Sequence, residues 1–475
     1  MTLDTKGRNE GITYPVVKCL VGKMEHSVNT TPLLGDDHDS DDEQFQHEFN
    51  TDDNKPLFKP LEPRDKFNTA YLIFCLLGIV SLLPWNFYVT ADDYWMYKFR
   101  NVSKNESMVG SSTSGRTPLQ AEFTSYLSLA SSVPNLVFLV LTTAISHRVS
   151  LNVRVVGSLF VMLLLMLVTL VFIQVDTDKW QQTFFGVTLI SIILLNVCSA
   201  IFSGSLFGAV GKFSPKYITA VIGGQALGGV FAALAQIASL SIGASSTHSA
   251  LVYFIIGNLT IAISIFLYIM LEKSLFFKYY IADHAVINEL LTNSLPMNYS
   301  YRTILKKMWC YGLSIFVTFA VSLAVYPGVT VLIDSEGKGH GNRWNDVYFV
   351  PTIAYLLFST GDYLGRILAG KVLKPRNITV LVILSCARFI FIPLLMLCNA
   401  QPRHLAVVFD RDYQYILILF LFAVSNGYLA NIATIMVPKA VDQHEKEIAS
   451  SIMTIFMGFG LTLGSTVSLF MVRLL

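Results

Sequence analysis

The feature that most constrains this chain is a succession of apolar stretches, each about 20 residues long, that recurs from residue 69 to residue 472. A helix rises about 1.5 Å per residue, so about 20 residues cross the roughly 30 Å hydrocarbon core of a bilayer. Eleven such stretches fall near residues 69–90, 121–146, 152–175, 183–209, 217–240, 248–271, 309–332, 347–370, 378–399, 413–437 and 447–472. Lipid offers a backbone no hydrogen-bond partner, so segments of this length must satisfy themselves as helices. The expected fold class is therefore all-α integral membrane, with eleven transmembrane helices. Of the 475 residues, 53% are hydrophobic and 14% charged, and the mean hydropathy is +0.54. Both values lie outside the range of soluble domains. A net charge of only +2 gives no reason to expect nucleic acid as a partner.

Residues 1–66 are polar and acidic, with "GDDHDSDDEQ" running from Gly35 to Gln44, and they read as a disordered tail. No apolar h-region precedes the first span, which is therefore expected to act as the targeting signal. Basic residues of the short loops (Lys212, Lys216, Lys371, Lys374, Arg376, Lys439, Lys446) fall on one side with the 272–307 linker, and that side reads as cytosolic. The opposite side holds the 91–120 loop, whose sequons at Asn101 and Asn105 are candidate glycan acceptors if the loop faces a lumen. With a cytosolic N-terminus, an odd number of spans places the C-terminus on the luminal side.

The linker divides the spans six and five, into bundles 67–271 and 308–475. "GSLFGAVGKFSPK" from Gly204 aligns on "GYLANIATIMVPK" from Gly427 with four matches in thirteen, and spans one and seven each hold an internal proline, Pro84 and Pro327. This pattern favours the major-facilitator arrangement of two bundles about an axis along the membrane normal, less its twelfth span. Four of the six cysteines (Cys75, Cys198, Cys386, Cys398) lie in apolar runs at no regular spacing and are expected as buried thiols, without a disulfide framework. The nine histidines form no ligand cluster, so no metal site is expected.

Within "LLFSTGDYLGRILAG", Asp362 and Arg366 stand four residues apart, on one helix face. A charge at the bilayer centre costs about 2.5–3.5 kcal/mol on insertion scales, so the pair must face protein or a cavity. Asp only accepts hydrogen bonds and Arg only donates, a combination that suits the hydroxyls of an uncharged solute. A structural ion pair, or a gate near the cytosolic end, is the alternative reading. Pro84 in "SLLPWNFYV" opens the first helix, and Trp85 beside it offers a stacking face or a packing ring. "GSLFGAVG", "GGQALGG" and "GFGLTLG" read first as close helix packing, with Gln225 placed for an interhelical bond. Arg388 needs a partner that the sequence does not name.

Taken in order, "GIVSLLPWNFY", "GSLFG", "GGQALGG", "GDYLGR", "FIPLLMLCN", "SNGYLA" and "GFGLTLGS" resemble the equilibrative nucleoside transporter family from about Phe67 to the C-terminus. The resemblance implies an eleven-span, major-facilitator-like fold and purine and pyrimidine nucleosides as substrates. By position it implies Asp362 and Arg366 near the ribose, Trp85 and Leu82 on the nucleobase side, and Leu461 as a further wall. Ser203 stands where plasma-membrane members carry Gln, and Val89 where some relatives carry Met, which points to broader selectivity that takes in nucleobases. The acidic tail is most similar to the endolysosomal branch, implying a lysosomal or late endosomal membrane. In it, Leu33 and Leu34 are the candidate sorting residues for an adaptor, although Asn29 occupies the place of the usual acidic residue.

No cofactor is expected; the only co-substrate considered is the proton. In an acidic compartment the candidate titrating groups are Asp362 and Glu447, the latter also readable as a favourable charge at a helix start. A plasma-membrane carrier without proton dependence is the alternative function. The distant alternative is an intramembrane aspartyl protease, since "TGDYLG" approximates GxGD, but Ser359 takes the first glycine position and no second mid-membrane Asp follows. The chain is read as a carrier and not an enzyme.

Overall fold

The computed structural model describes residues 63–100, 117–145, 149–242, 245–281, 301–371, 378–401, 406–442 and 445–475. Leu33 and Leu34, the sequons Asn101 and Asn105, and the side chain of Glu447 lie outside the described residues. The first half contains α1 (Thr69–Ser81), α2 (Leu83–Thr90), α3 (Asp92–Lys98), α4 (Pro118–Ile145), α5 (Leu151–Gln174), α6 (Gln181–Val210), α7 (Pro215–Ile242) and α8 (Ser246–Lys273). The second contains α9 (Tyr301–Val325), a π-helical segment (Val350–Leu357) running into α10 (Phe358–Lys371), then α11 (Ile378–Ala387), α12 (Phe391–Met396), α13 (Asp412–Ala440) and α14 (Lys446–Leu474). Among the described residues there is no strand, only two isolated bridges at Ile333–Ala400 and Cys398–Phe409.

Nine helical runs among the described residues are long and apolar enough to cross a membrane, and α1 with α2 makes a tenth if that bent pair counts as one span. The remaining expected span, residues 347–370, is divided between the π-helical segment and α10, each too short to cross alone. A count of eleven is compatible with this architecture. In the first half, α1 packs on α7, α6 on α4 and α5, and α5 on α8; in the second, α9 packs on α14, α13 and α11, and α10 on α13. The halves meet where α4 lies against α14 and where α7 lies against α10 and the π-helical segment.

The proline in the first span acts as its chemistry requires. α1 and α2 are bent by 50°, with Leu82 at φ −110° and ψ 4° between them and Pro84 in the first turn of α2. The carbonyl of Ser81, the last residue before the break, accepts a hydrogen bond from the Ser199 hydroxyl of α6. Gln225 Nε2 donates to Ser81 Oγ at 3.0 Å, the interhelical bond expected of it.

Small residues serve contact at some positions and not at others. A Cβ on Gly224 would stand 2.0 Å from the carbonyl oxygen of Cys75, and one on Gly460 2.5 Å from that of Phe316, so these helices touch backbone to backbone. Gly208 and Gly223 depart from the packing expectation, because a Cβ there meets nothing within 4 Å. The expectation of four buried thiols needs a similar correction. Cys398 is buried and Cys75 and Cys198 are half-buried, but Cys386 is exposed on the outer face of α11, where an apolar run provides for lipid contact and not only for a core.

Candidate functional site

The site begins with a close approach of α10 and α13. A Cβ on Gly427 would lie 1.9 Å from the carbonyl oxygen of Asp362, and one on Gly365 2.2 Å from that of Val424. Only glycine permits this distance, and the residue before Gly427 is thereby set against Asp362. Asn426 Nδ2 donates to Asp362 Oδ1 at 2.7 Å, while Arg366 Nε donates to Asp362 Oδ2 at 2.9 Å from one turn along α10. Both carboxylate oxygens are held. Asp362 is 8% exposed, whereas the Arg366 side chain keeps 24% of its surface. Asn431 Nδ2 donates to the Arg366 carbonyl at 2.8 Å and ties α10 to α13 again.

Arg388 supplies what the sequence left open. It is 1% exposed; its Nη1 reaches Asn426 Oδ1 at 3.3 Å and its Nη2 reaches Ser322 Oγ of α9 at 2.8 Å. The guanidinium lies 4.8 Å from the centroid of the Phe422 ring, so the cation is solvated by an amide, a hydroxyl and a π face. Ser322 Oγ also bonds Asn426 Oδ1, at 2.6 Å. Asp362 and Arg366 alone are neutral, but the connected cluster holds two guanidiniums and one carboxylate. The sequence reading of an uncharged site misses this second cation.

Toward the first half, Ser359 lies three residues before Asp362, on the same face. A Cβ on Gly229 of α7 would stand 2.5 Å from Ser359 Oγ and 3.7 Å from Asn86 Oδ1 of α2. The Tyr326 ring stacks on Phe358, the residue before Ser359, with centroids 3.6 Å apart and planes 13° apart. Asn86 follows Trp85 directly, so the helix of Trp85 and the helix of Asp362 converge on Gly229.

The remaining expected site residues are dispersed. Leu82 and Trp85 are half-buried at the break and on α2, and Ser203 and Leu461 are half-buried on α6 and α14. No hydrogen bond among the described residues joins either Ser203 or Leu461 to the Asp362 cluster. Val89 is 4% exposed, and its carbonyl accepts from Tyr355 Oη at 2.6 Å across the two halves. Asn426, Ser322, Tyr326 and Asn86 were not singled out from the sequence, and Ser359 only as a departure from GxGD. Their signal was available: amides and hydroxyls inside apolar spans, which lipid does not tolerate unpaired.

At the end of the bundle carrying α3 and the C-terminus, the halves are tied by polar contacts. Arg473 Nε and Nη2 donate to the two carboxylate oxygens of Glu122 at 2.9 and 3.3 Å. Beneath that pair, the hydroxyls of Ser125 and Ser468 share a bond at 3.0 Å, and those of Ser132 and Ser465 one at 2.9 Å. In α3, burial pushes the Asp93 carboxyl above its ordinary range, against a smaller opposing effect of its bond to Ser246.

The sequence profile of the family described as Nucleoside transporter matches residues 189–473. Equilibrative nucleoside transporter 3 of Rattus norvegicus is 34% identical over 440 residues, covering 86% of this chain and 91% of the relative. This chain belongs to the equilibrative nucleoside transporter family. Equilibrative nucleoside transporter 2 of Homo sapiens is 33% identical over 449 residues, covering 86% and 97%. Among solved structures, a mutant of the nucleoside transporter NupG superposes with a TM-score of 0.54 at 13% identity, over 83% of this chain and 90% of that one. A bacterial homologue of the human lysosomal transporter Spinster reaches 0.50 at 13%, over 85% and 82%. At such identities these structures speak for the fold alone, and it is the major-facilitator-like fold expected from the spans. The equilibrative nucleoside transporter family is one of multi-pass membrane transporters, so the chain is not an enzyme and the protease reading of "TGDYLG" falls away.

Proposed function

We propose that this transporter carries purine and pyrimidine nucleosides, and nucleobases besides, down their gradients across an endolysosomal membrane by alternating access. The observation that carries the reading is the Asp362–Arg366 pair. It presents an acceptor and a planar donor fork inside the membrane, on the helix where the second half meets α7 of the first. Vicinal hydroxyls of a ribose match that combination. Trp85, Leu82, Val89, Ser203 and Leu461 are assigned to the nucleobase side. Its relatives, equilibrative nucleoside transporters 1, 2 and 3, support the substrate class.

The endolysosomal membrane is proposed from the acidic tail with Leu33 and Leu34, and luminal glycosylation from Asn101 and Asn105. Residues 1–66 are the cytosolic tail and adaptor-binding segment, 272–307 the cytosolic linker, and 67–271 and 308–475 the two bundles that rock about the site. The C-terminus is then luminal, and Arg473 with Glu122 closes the luminal end. Protonation of Glu447 is proposed to influence the rate.

Uptake of radiolabelled adenosine, uridine and adenine into proteoliposomes tests this, at pH about 5.5 and about 7.4, where His and perturbed carboxylates titrate. Expected is saturable uptake, faster at the acidic pH, lost in Arg366→Ala and weakened in affinity, in a substrate-dependent way, in Asp362→Asn. Absence of saturable uptake by folded protein overturns the substrate assignment, and equal rates at both pH values overturn the proton influence alone.

A further inference from the structure

A side-chain amide has two unlike ends, an oxygen that accepts and an NH2 that donates, so Asn426 can either hold a carboxylate or repel it. Which end faces Asp362 is decided from behind. Arg388 Nη1, a donor only, reaches Asn426 Oδ1 at 3.3 Å; the Ser322 hydroxyl lies beside it, its one proton shared between Asn426 Oδ1 at 2.6 Å and the Thr318 carbonyl at 2.8 Å. Turning the amide over would set its NH2 against a guanidinium and its oxygen against a carboxylate, two repulsions in a buried site. The NH2 is therefore the end that meets Asp362 Oδ1, at 2.7 Å.

Arg388 is itself fixed, buried to 1% exposure, seated on the Phe422 ring and bonded through Nη2 to Ser322 at 2.8 Å. Its contact with the carboxylate runs through Asn426, since among the described residues no hydrogen bond joins Arg388 to Asp362.

We infer that Arg388 and Ser322, acting through Asn426, are positioning residues that orient the Asp362 carboxylate for the hydroxyls of the transported nucleoside. A carboxylate has about four lone-pair sites. Arg366 and Asn426 each occupy one, on different oxygens, which fixes the plane of the group and leaves a site on each oxygen for substrate. The inference rests on the assignment of Asp362 to the sugar side made above.

The test compares uridine with 2′,3′-dideoxyuridine, which lacks the vicinal 2′- and 3′-hydroxyls of the ribose and keeps only the 5′-hydroxyl. Full-length wild type, Asn426→Asp, Ser322→Ala, Arg388→Lys and Arg388→Met are reconstituted and normalised to folded protein by melting curves. Asn426→Asp keeps the shape of the amide and replaces its donor with a second carboxylate that repels Asp362. Loss of a hydrogen bond to a charged group corresponds to a rise in the uridine KM of about ten- to a hundredfold, with Vmax held within about twofold. Ser322→Ala is expected to raise it a few-fold. Arg388→Lys, which keeps the charge without the fork, falls between wild type and Arg388→Met. The dideoxy substrate, which lacks the vicinal hydroxyls assigned to Asp362, keeps its KM within about twofold in every variant, and Asn426→Asp adds little to Asp362→Asn.

Equal losses for both substrates, or effects that simply add to Asp362→Asn, overturn the inference, because a merely structural cluster gives those results. Should Arg388→Met not fold, Ser322→Ala and Arg388→Lys carry the decision. Failure of the underlying assignment looks different: Asp362→Asn itself leaves the uridine KM unchanged. If Asp362→Asn raises that KM but Asn426→Asp does not, the inference alone is lost.

Discussion

Replacing Gly427 by alanine perturbs the site without removing any polar group from it. The new methyl carbon would stand 1.9 Å from the Asp362 carbonyl oxygen, 2.7 Å from the carbonyl carbon and 3.1 Å from the Arg366 nitrogen, all of them backbone atoms that no side-chain rotation can move. An ordinary contact needs about 3.5 Å, so α10 and α13 must part by roughly 1.5 Å at this level. The Asn426–Asp362 bond, now 2.7 Å, would then open to about 4 Å, beyond hydrogen-bonding range. Overpacking of this kind costs about 1–3 kcal/mol, and the lost charge-assisted bond a further 1.5–3 kcal/mol, roughly. Gly427→Ala should therefore melt below wild type in detergent and show a uridine KM raised by about tenfold or more. The control is Gly223→Ala, where a Cβ meets nothing within 4 Å, and it should match wild type in both assays. A Gly427→Ala protein with wild-type melting and wild-type KM would refute the idea that backbone contact sets the geometry of Asp362.

Three further outcomes are expected. Ser199→Ala leaves the Ser81 carbonyl at the break in the first span without that donor, which should cost about 1–3 kcal/mol in detergent melts; an unchanged melt would mean the break is sustained in another way. Arg473→Ala removes an exposed but two-pronged link between α14 and α4, and a cysteine placed at Ser468 should then react a few-fold faster with an impermeant thiol reagent added on the C-terminal side; an unaltered rate would show that the ion pair does not restrain that end. Asp93 carries the pH prediction. Its folded carboxyl sits above the ordinary range, so its contribution is fully favourable below the unfolded-state value and fades as pH rises through the folded one. Asp93→Asn should therefore flatten the gain in melting temperature on acidification and be at least as stable as wild type near neutral pH, whereas an identical pH profile would exclude the group.

Most of the architecture could be read from the lengths of the apolar runs, because helix rise and bilayer thickness leave few alternatives. What the runs conceal is hydrogen-bond register. Residues 347–370 count as one span by composition, yet Val350–Leu357 is wound as a π-helix before α10 begins, and no sum of hydropathies distinguishes one register from the other. The Asp362–Arg366 pair was legible because an interval of four is local geometry. The partners of Arg388 were not, since Asn426 and Ser322 lie 38 and 66 residues away on two other helices and become neighbours only through tertiary packing. The same limit applies to glycines. Gly223 and Gly224 are adjacent in one motif, but only the second presses on a neighbouring backbone, and the direction each faces is a property of the bundle.

The serine pairs between α4 and α14 have a consequence for the downhill transport proposed above. In each pair either hydroxyl can donate, and when the helices separate, water replaces the bond at a net loss of only about 0.5–1.5 kcal/mol. A seam of apolar side chains, or of dry ion pairs, would commit the protein to its closed form, and a substrate moving downhill could not reopen it. A seam of hydroxyls stays shut long enough to separate the two compartments, yet leaves the open and closed forms close in free energy, so that direction is set by solute concentration alone.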